Sequence, residues 1–299
     1  MMTEVGVIPD LIDWHGSAEL HPYFVCDVFT STPLQGNQLG VFVDGRPFDA
    51  AEMQRLAREM NFAETVFLLP PTKGGDVSLR IFTPIAELPF AGHPVLGTAF
   101  VVGGALGADA VTLETGAGLV PITLKRDGDR VVFGWMRQPI PAWEPFERER
   151  ELLDALGVAL SQLPVEVYRN GPRHVYVRLA SEEAVAALKP DLAALTDLNI
   201  AANCFAGRDR SWKTRMFAPA LGVPEDPATG SAAGPLAVHL ARHGQIAFGE
   251  EIEIRQGAEI GRPSLLYATA TGEGDQIDSV EVGGMALIVA EGRFRIAGE

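Results

Sequence analysis

Glu64 lies in Asn-Phe-Ala-Glu-Thr-Val-Phe-Leu-Leu, a carboxylate among apolar residues directly after a helix-like segment. Such a group is either an exposed helix-end residue or a partly buried one. Burial would raise its pKa and let it both take and return a proton near neutral pH. His93, a lone histidine beside Pro94, is read as structural or as functional with equal ease. Asp226, in Val-Pro-Glu-Asp-Pro-Ala-Thr-Gly-Ser, precedes a helix and by itself reads as a turn or helix-dipole residue. Two glycine turns, Ala91-Gly-His93 and Thr229-Gly-Ser231, each open an apolar, small-residue helix, expected over Pro94 to Val102 and Ala232 to His243. Helix N-termini present unpaired N–H groups and a positive dipole end, so Gly92, Thr229, Gly230 and Ser231 are candidates to hold a carboxylate. Taken singly, Ser231 is only a cap and Gly92 only a turn. As a matched pair they point to function.

Other chemistries lack their residues. Gly116-Ala-Gly118 is followed by Pro121 where a dinucleotide fingerprint needs glycine, and Gly230-Ser-Ala-Ala-Gly234 is not a nucleophile elbow. His239 and His243 sit four apart, but position 240 is Leu where a zinc protease has Glu. They read as residues near a helix C-terminus, with Gly244 as the stop. No metal and no cofactor is expected. Cys26 and Cys204, isolated in apolar stretches, read as buried reduced thiols.

The elements that must position these groups follow a mixed pattern. Strand-like runs at Tyr23 to Phe29, Leu39 to Val43, Thr65 to Leu69, Val77 to Phe82 and Val131 to Trp135 are separated by turns. A helix is expected from Ala50 to Met60, with Asp49 as N-cap and Met53, Leu56, Ala57 and Met60 on one face. The run Pro139 to Pro145 reads as an interdomain linker.

The second half repeats the first. Arg80-Ile-Phe-Thr-Pro84 reappears as Arg215-Met-Phe-Ala-Pro219, an offset of 215 − 80 = 135, which also aligns Pro89 with Pro224 and Gly36–Val43 with Gly171–Arg178. After these prolines the second copy gains three residues, so Gly92-His93 faces Gly230-Ser231 at 230 − 92 = 138. A duplicated domain is expected, with the two turns meeting across a cleft. The expected division is an N-terminal extension over 1–21, one domain over 22–138 and a second over 139–299, whose last strand returns to the first.

Composition limits the partners. The chain has 299 residues, 47% of them hydrophobic, enough for two cores. With 24 basic and 39 acidic residues the net charge is −15, and no basic or aromatic patch breaks it, which argues against nucleic acid. The opening residues lack a signal-peptide pattern, and no apolar run approaches the ~20 residues of a membrane span. A cytoplasmic location without membrane association is expected.

Gly36-Asn37, Phe62-Ala-Glu-Thr65, Pro89-Phe-Ala-Gly-His-Pro94 and Glu225-Asp-Pro-Ala-Thr-Gly-Ser-Ala-Ala-Gly234 together resemble the signature of the phenazine-biosynthesis (PhzF-like) family, over nearly the whole chain from about Tyr23. Asn170–His174, Asn203–Gly207 and His239–Gln245 resemble the members that serve phenazine synthesis itself. The resemblance implies an α+β, diaminopimelate-epimerase-like fold: two pseudo-symmetric domains, each a mixed sheet around a central helix, with the active site between them and commonly a homodimer. It also implies a cofactor-independent isomerase that moves a proton from C3 to C1 of trans-2,3-dihydro-3-hydroxyanthranilate. By position, Glu64 matches the proton-transferring glutamate, His93 and Asp226 the polar and relay residues, and Gly92, Gly230 and Ser231 the substrate-holding turns. Epimerases of this fold use a cysteine from each half, and neither turn here has one. Gln38 replaces the proline common after Gly-Asn, which touches the expected pocket near Asn37. Isomerisation or epimerisation of another small amino or hydroxy acid, and ligand binding without catalysis, are the alternatives.

Overall fold

The computed structural model describes residues 20–296, so most of the expected N-terminal extension lies outside the described residues. The first repeat begins with strand Leu20–Val28, paired antiparallel with Asn37–Phe42. Asn37–Phe42 then runs parallel to Glu64–Leu69, so a crossover must join them. Helix Ala50–Met60 supplies it. Asp49 caps this helix by accepting from the Glu52 N–H while the Glu52 side chain accepts from the Asp49 N–H. Asn61 closes it in the left-handed conformation, at φ 52°. Glu64 therefore follows the crossover helix by one short turn and opens the next strand.

The sheet continues through Val77–Phe82, Ala110–Thr115, Gly118–Asp127 and Arg130–Arg137 and wraps the helix Gly92–Leu106. That helix is apolar on all sides and almost wholly buried, as a core helix must be. It starts two residues before the expected Pro94 and runs four past Val102, because Gly103 and Gly104 do not break it. At Gly103 any larger side chain would run into Leu124 of the wrapping sheet.

The second repeat follows the same plan. Arg173–Arg178 runs parallel to Ala201–Arg208, with His174 level with Ala201, as Leu39 is level with Glu64 in the first repeat. Ser211–Ala218, Ile252–Gln256, Ser264–Glu273 and Gln276–Gly284 continue the sheet around the helix Gly230–Arg242. The repeated Arg-x-Phe motif has a structural cause. Arg80 pairs with Glu87 at 2.6 Å and Arg215 with Glu225 at 2.7 Å, each across the hairpin that leads towards a central helix.

The halves are bound together by strands. Arg130–Arg137 pairs antiparallel with Gln276–Gly284, and the closing strand Ala286–Arg295 pairs with Leu20–Val28. The segment expected as a linker is partly strand: Ala142–Pro145 pairs with Glu166–Arg169. Proline is tolerated because this short strand pairs with Glu166–Arg169 alone among the described residues, as an edge strand does.

Candidate active site

The N-termini of the two central helices touch. A Cβ on Gly92 would meet the backbone of Gly230 and Ser231, and one on Gly230 would lie 3.0 Å from the His93 nitrogen. Only glycine permits this approach. Two positive helix ends that face one another attract an anion into the space beside them.

The second helix end is fixed from outside. Pro235 lacks the N–H that would bond the Ser231 carbonyl one turn back. Asn170 Nδ2 donates to that carbonyl instead, at 2.9 Å. Gln138 Nε2 donates to the Gly230 carbonyl at 2.8 Å, and the Tyr176 hydroxyl to the Ala232 carbonyl at 2.6 Å.

A cavity partly open to solvent lies against these ends. Glu64, Gly92, His93, Asp226, Thr229, Gly230 and Ser231 all line it, from both repeats. Of the site residues that the family resemblance and the two turns pointed to, Asn37 alone stands behind the wall. Its amide nitrogen lies 2.7 Å from Asp226 Oδ1, 2.9 Å from the Ala228 carbonyl and 3.1 Å from His93 Nδ1. Asn37 thus ties the first repeat to the second and orients two cavity residues at once.

Glu64 Oε2 faces His93 Nε2 at 3.4 Å, and neither atom has a hydrogen-bond partner. Burial lowers the His93 pKa to about 3, against a smaller opposing pull from the Gln38 backbone, so the ring is neutral at physiological pH and this contact is no ion pair. Burial, and then the nearby charge of Asp226, raise the Glu64 pKa well above the ordinary glutamate value. Asp226 is pushed up to about 7 by burial, which outweighs its hydrogen bonds from Thr229 Oγ1 at 2.6 Å and from Asn37. Gln256 Nε2 backs the pair, donating to Thr229 Oγ1 at 2.9 Å and to the Asp226 carbonyl at 2.8 Å. A carboxyl group beside an anion-attracting pocket, titrating in an elevated range, is suited to reversible proton transfer.

The sequence profile of the phenazine biosynthesis-like protein family, PhzC-PhzF, matches residues 26–292. The chain belongs to this family. It is 56% identical to the trans-2,3-dihydro-3-hydroxyanthranilate isomerase of Pseudomonas aeruginosa over 92% of this chain and 99% of that protein. The isomerase of the same name from Pseudomonas fluorescens is 52% identical over 91% and 99%. Among solved structures, the PhzF-family phenazine biosynthesis protein of Bacillus anthracis superposes with a TM-score of 0.79 at 26% identity, covering 93% of this chain and all of that one. A hydroxyproline epimerase from Agrobacterium vitis shares the fold, with a TM-score of 0.68 at 12% identity and coverage of 92% and 91%. The two Pseudomonas relatives are isomerases by name, and the α+β, epimerase-like fold is that of the structural neighbours.

Several further residues of the site were not named as candidates from the sequence, although Asn170, His174 and Asn203 lie in segments that carry the family resemblance. His174 lines the cavity, while Gln138, Asn170, Asn203 and Gln256 stand behind it. All are polar residues on strands or in turns, and their roles depend on partners far along the chain. Glu166, His239 and His243 also converge, with one donor atom from each within 4.8 Å of the others. The His spacing had suggested only a helix terminus, because the acid comes from another strand. Arg242 already stands 2.9 Å from Glu166 Oε2, and the Tyr168 hydroxyl donates to the same oxygen at 2.9 Å. Burial pushes the Glu166 pKa up, but His239, His243, Tyr168 and Arg242 together hold it well below the carboxylate range. A guanidinium in that position repels a cation, so the cluster is a buried charge network. No helix among the described residues is long and apolar enough to cross a membrane.

Proposed function

We propose that the protein isomerises trans-2,3-dihydro-3-hydroxyanthranilate within phenazine biosynthesis, with Glu64 as acid and base. The observation that carries this reading is Glu64 itself: a carboxyl group of raised pKa, its Oε2 unpartnered, in a cavity walled by two helix N-termini. The substrate carboxylate lies against the turns at Gly92 and Gly230-Ser231. The Glu64 carboxylate removes the C3 proton, the ring is reprotonated at C1, and the resulting enol relaxes to the ketone. Proton and electron counts balance without an oxidant or a cofactor. Asp226 adds to the raised pKa of the base, His93 stands 3.4 Å from it, the two serve as polar contact and proton relay for the substrate, and Asn37 holds both.

Two-base epimerisation lacks its groups. Burial pushes the Cys26 and Cys204 thiols up to about 12, and neither residue lines the cavity. On this reading the two repeats are the two domains of the enzyme, divided near residue 139, and the enzyme works as a cytoplasmic homodimer, which light scattering of the purified protein checks.

Incubation with the dihydro acid, without added cofactor and followed spectroscopically, tests the reading. Conversion by the wild-type protein and a loss of ~10²-fold or more in kcat for Glu64→Gln are expected. Tight binding without turnover would make the protein a ligand-binding relative. Near-normal turnover by Glu64→Gln would move the role of base to Asp226 or His93.

A further inference from the structure

His174 lies in the strand Arg173–Arg178, is buried and lines the cavity from the second repeat. Its Nε2 stands 3.0 Å from Ser231 Oγ and its Nδ1 3.3 Å from Asn203 Nδ2. The Asn203 amide nitrogen also faces the Ala201 carbonyl at 3.1 Å, which identifies it as the nitrogen rather than the oxygen. Its two hydrogens therefore have two acceptors, Ala201 O and His174 Nδ1. A neutral imidazole carries one N–H. With Nδ1 accepting, that hydrogen is on Nε2 and is donated to Ser231 Oγ. Ser231 then accepts from His174, and its own hydrogen is free to turn into the cavity.

We infer that Asn203 and His174 act as positioning residues that set the Ser231 hydroxyl as a hydrogen-bond donor to the substrate carboxylate, an inference that rests on the isomerase reading above. Burial lowers the His174 pKa to about 3, so the ring keeps its single hydrogen throughout the physiological range. Without Asn203 the opposite tautomer becomes accessible, Nε2 draws the serine hydrogen towards itself, and Ser231 presents lone pairs to an anion. The arrangement is not a relic of duplication. The repeat register sets His174 opposite Leu39, since 174 − 135 = 39, whereas the comparable chain in the first half runs from Asn37 through His93 towards Glu64. Each half has built an Asn–His pair behind a cavity group from different positions.

Two measurements test this. Nitrogen-15 NMR of histidine-labelled protein, with the His174 signals identified by their loss in His174→Gln, should show the Nε2–H tautomer at pH 7. An Nδ1–H tautomer or an imidazolium would overturn the inference. The second measurement compares binding of 3-hydroxyanthranilate, a planar analogue that keeps the carboxylate, with 2-aminophenol, which lacks it. Ser231→Ala and His174→Leu should each reduce the preference for the carboxylate probe, by roughly 10-fold or more for Ser231→Ala, as for a lost hydrogen bond to a charged group. His174→Gln, which keeps an N–H donor, should restore much of it. The double variant should be no worse than Ser231→Ala. A purely structural role for His174 would weaken both probes alike, and an unchanged preference in His174→Leu would overturn the inference while turnover of the dihydro acid by the wild type left the isomerase reading intact. Absence of that turnover would overturn both.

Discussion

Gly92 and Gly230 begin two helices from different repeats, and each occupies the space where a side chain on the other would stand. A Cβ at Gly92 would come within 2.7 Å of the Gly230 Cα and still closer to neighbouring backbone. Backbone cannot swing aside as a flexible side chain can. Gly92→Ala should therefore separate the helix ends, at a cost of ~1 to 3 kcal/mol typical of overpacking. Activity should fall further than stability does, because the cavity lies at that contact. Urea unfolding and kcat/KM on the same preparation check the difference.

The pH profile of kcat/KM should report the raised Glu64 pKa. Glu64 must be ionised to take a proton, so activity should decline on the acid side with an apparent pKa well above the ordinary 4.5. Asp226→Asn removes the negative neighbour and should move that limb to lower pH. It should not restore the ordinary value, because burial is the larger cause. An acid limb that stays in place in Asp226→Asn would remove Asp226 from the proposed relay.

Stability should carry the same signature in the unliganded protein. A carboxyl whose folded pKa is raised favours folding fully below its unfolded pKa, and that contribution is lost as pH rises through the folded value. For Glu64 the loss begins near 4.5 and amounts to about 1.4 kcal/mol per pH unit for one proton. Glu64→Gln has no such term. Its Tm relative to wild type should increase as the pH is raised above 5 and level off once Glu64 has ionised in the folded wild-type protein, while its activity is lost. Parallel Tm curves for the two proteins would show that Glu64 titrates normally.

Asn37 is the connection whose loss should be most visible away from the base. Asn37→Ala leaves Asp226 Oδ1 and the Ala228 carbonyl without their donor, in a buried place. A destabilisation of roughly 2 to 4 kcal/mol follows from unpairing two buried acceptors. The Asp226 pKa should rise further, since one of the hydrogen bonds that lower it is gone. Chemical denaturation and carboxyl NMR titration measure the two effects.

Much of this architecture was legible in the chain. The fixed offset between Arg80-Ile-Phe and Arg215-Met-Phe established a duplicated unit, because one register kept over several segments needs a common plan, and both arginines stand on equivalent strands with a glutamate partner. The capping pattern at Asp49 located the crossover helix, and the glycine-started apolar stretches located the central helices, because caps and all-round apolarity are local properties. Glu64, His93, Asp226, Thr229 and Ser231 stood out beside helix starts or ends, but by themselves they read equally well as caps, turns or exposed residues, and only the resemblance to a family signature gave them roles. Tertiary structure decided the rest. Whether Glu64 was exposed or desolvated depended on Asp226 and His93 arriving from elsewhere in the chain. Asn37 proved to be a strut behind the cavity, and the Pro139–Pro145 segment contains a strand because a partner at Glu166–Arg169 was available. Polar side chains such as His174, Asn203 and Gln138 gain meaning only from the donor or acceptor they meet. Hydrogen-bond complementarity and desolvation are properties of neighbours in space, and a linear pattern records only neighbours in sequence.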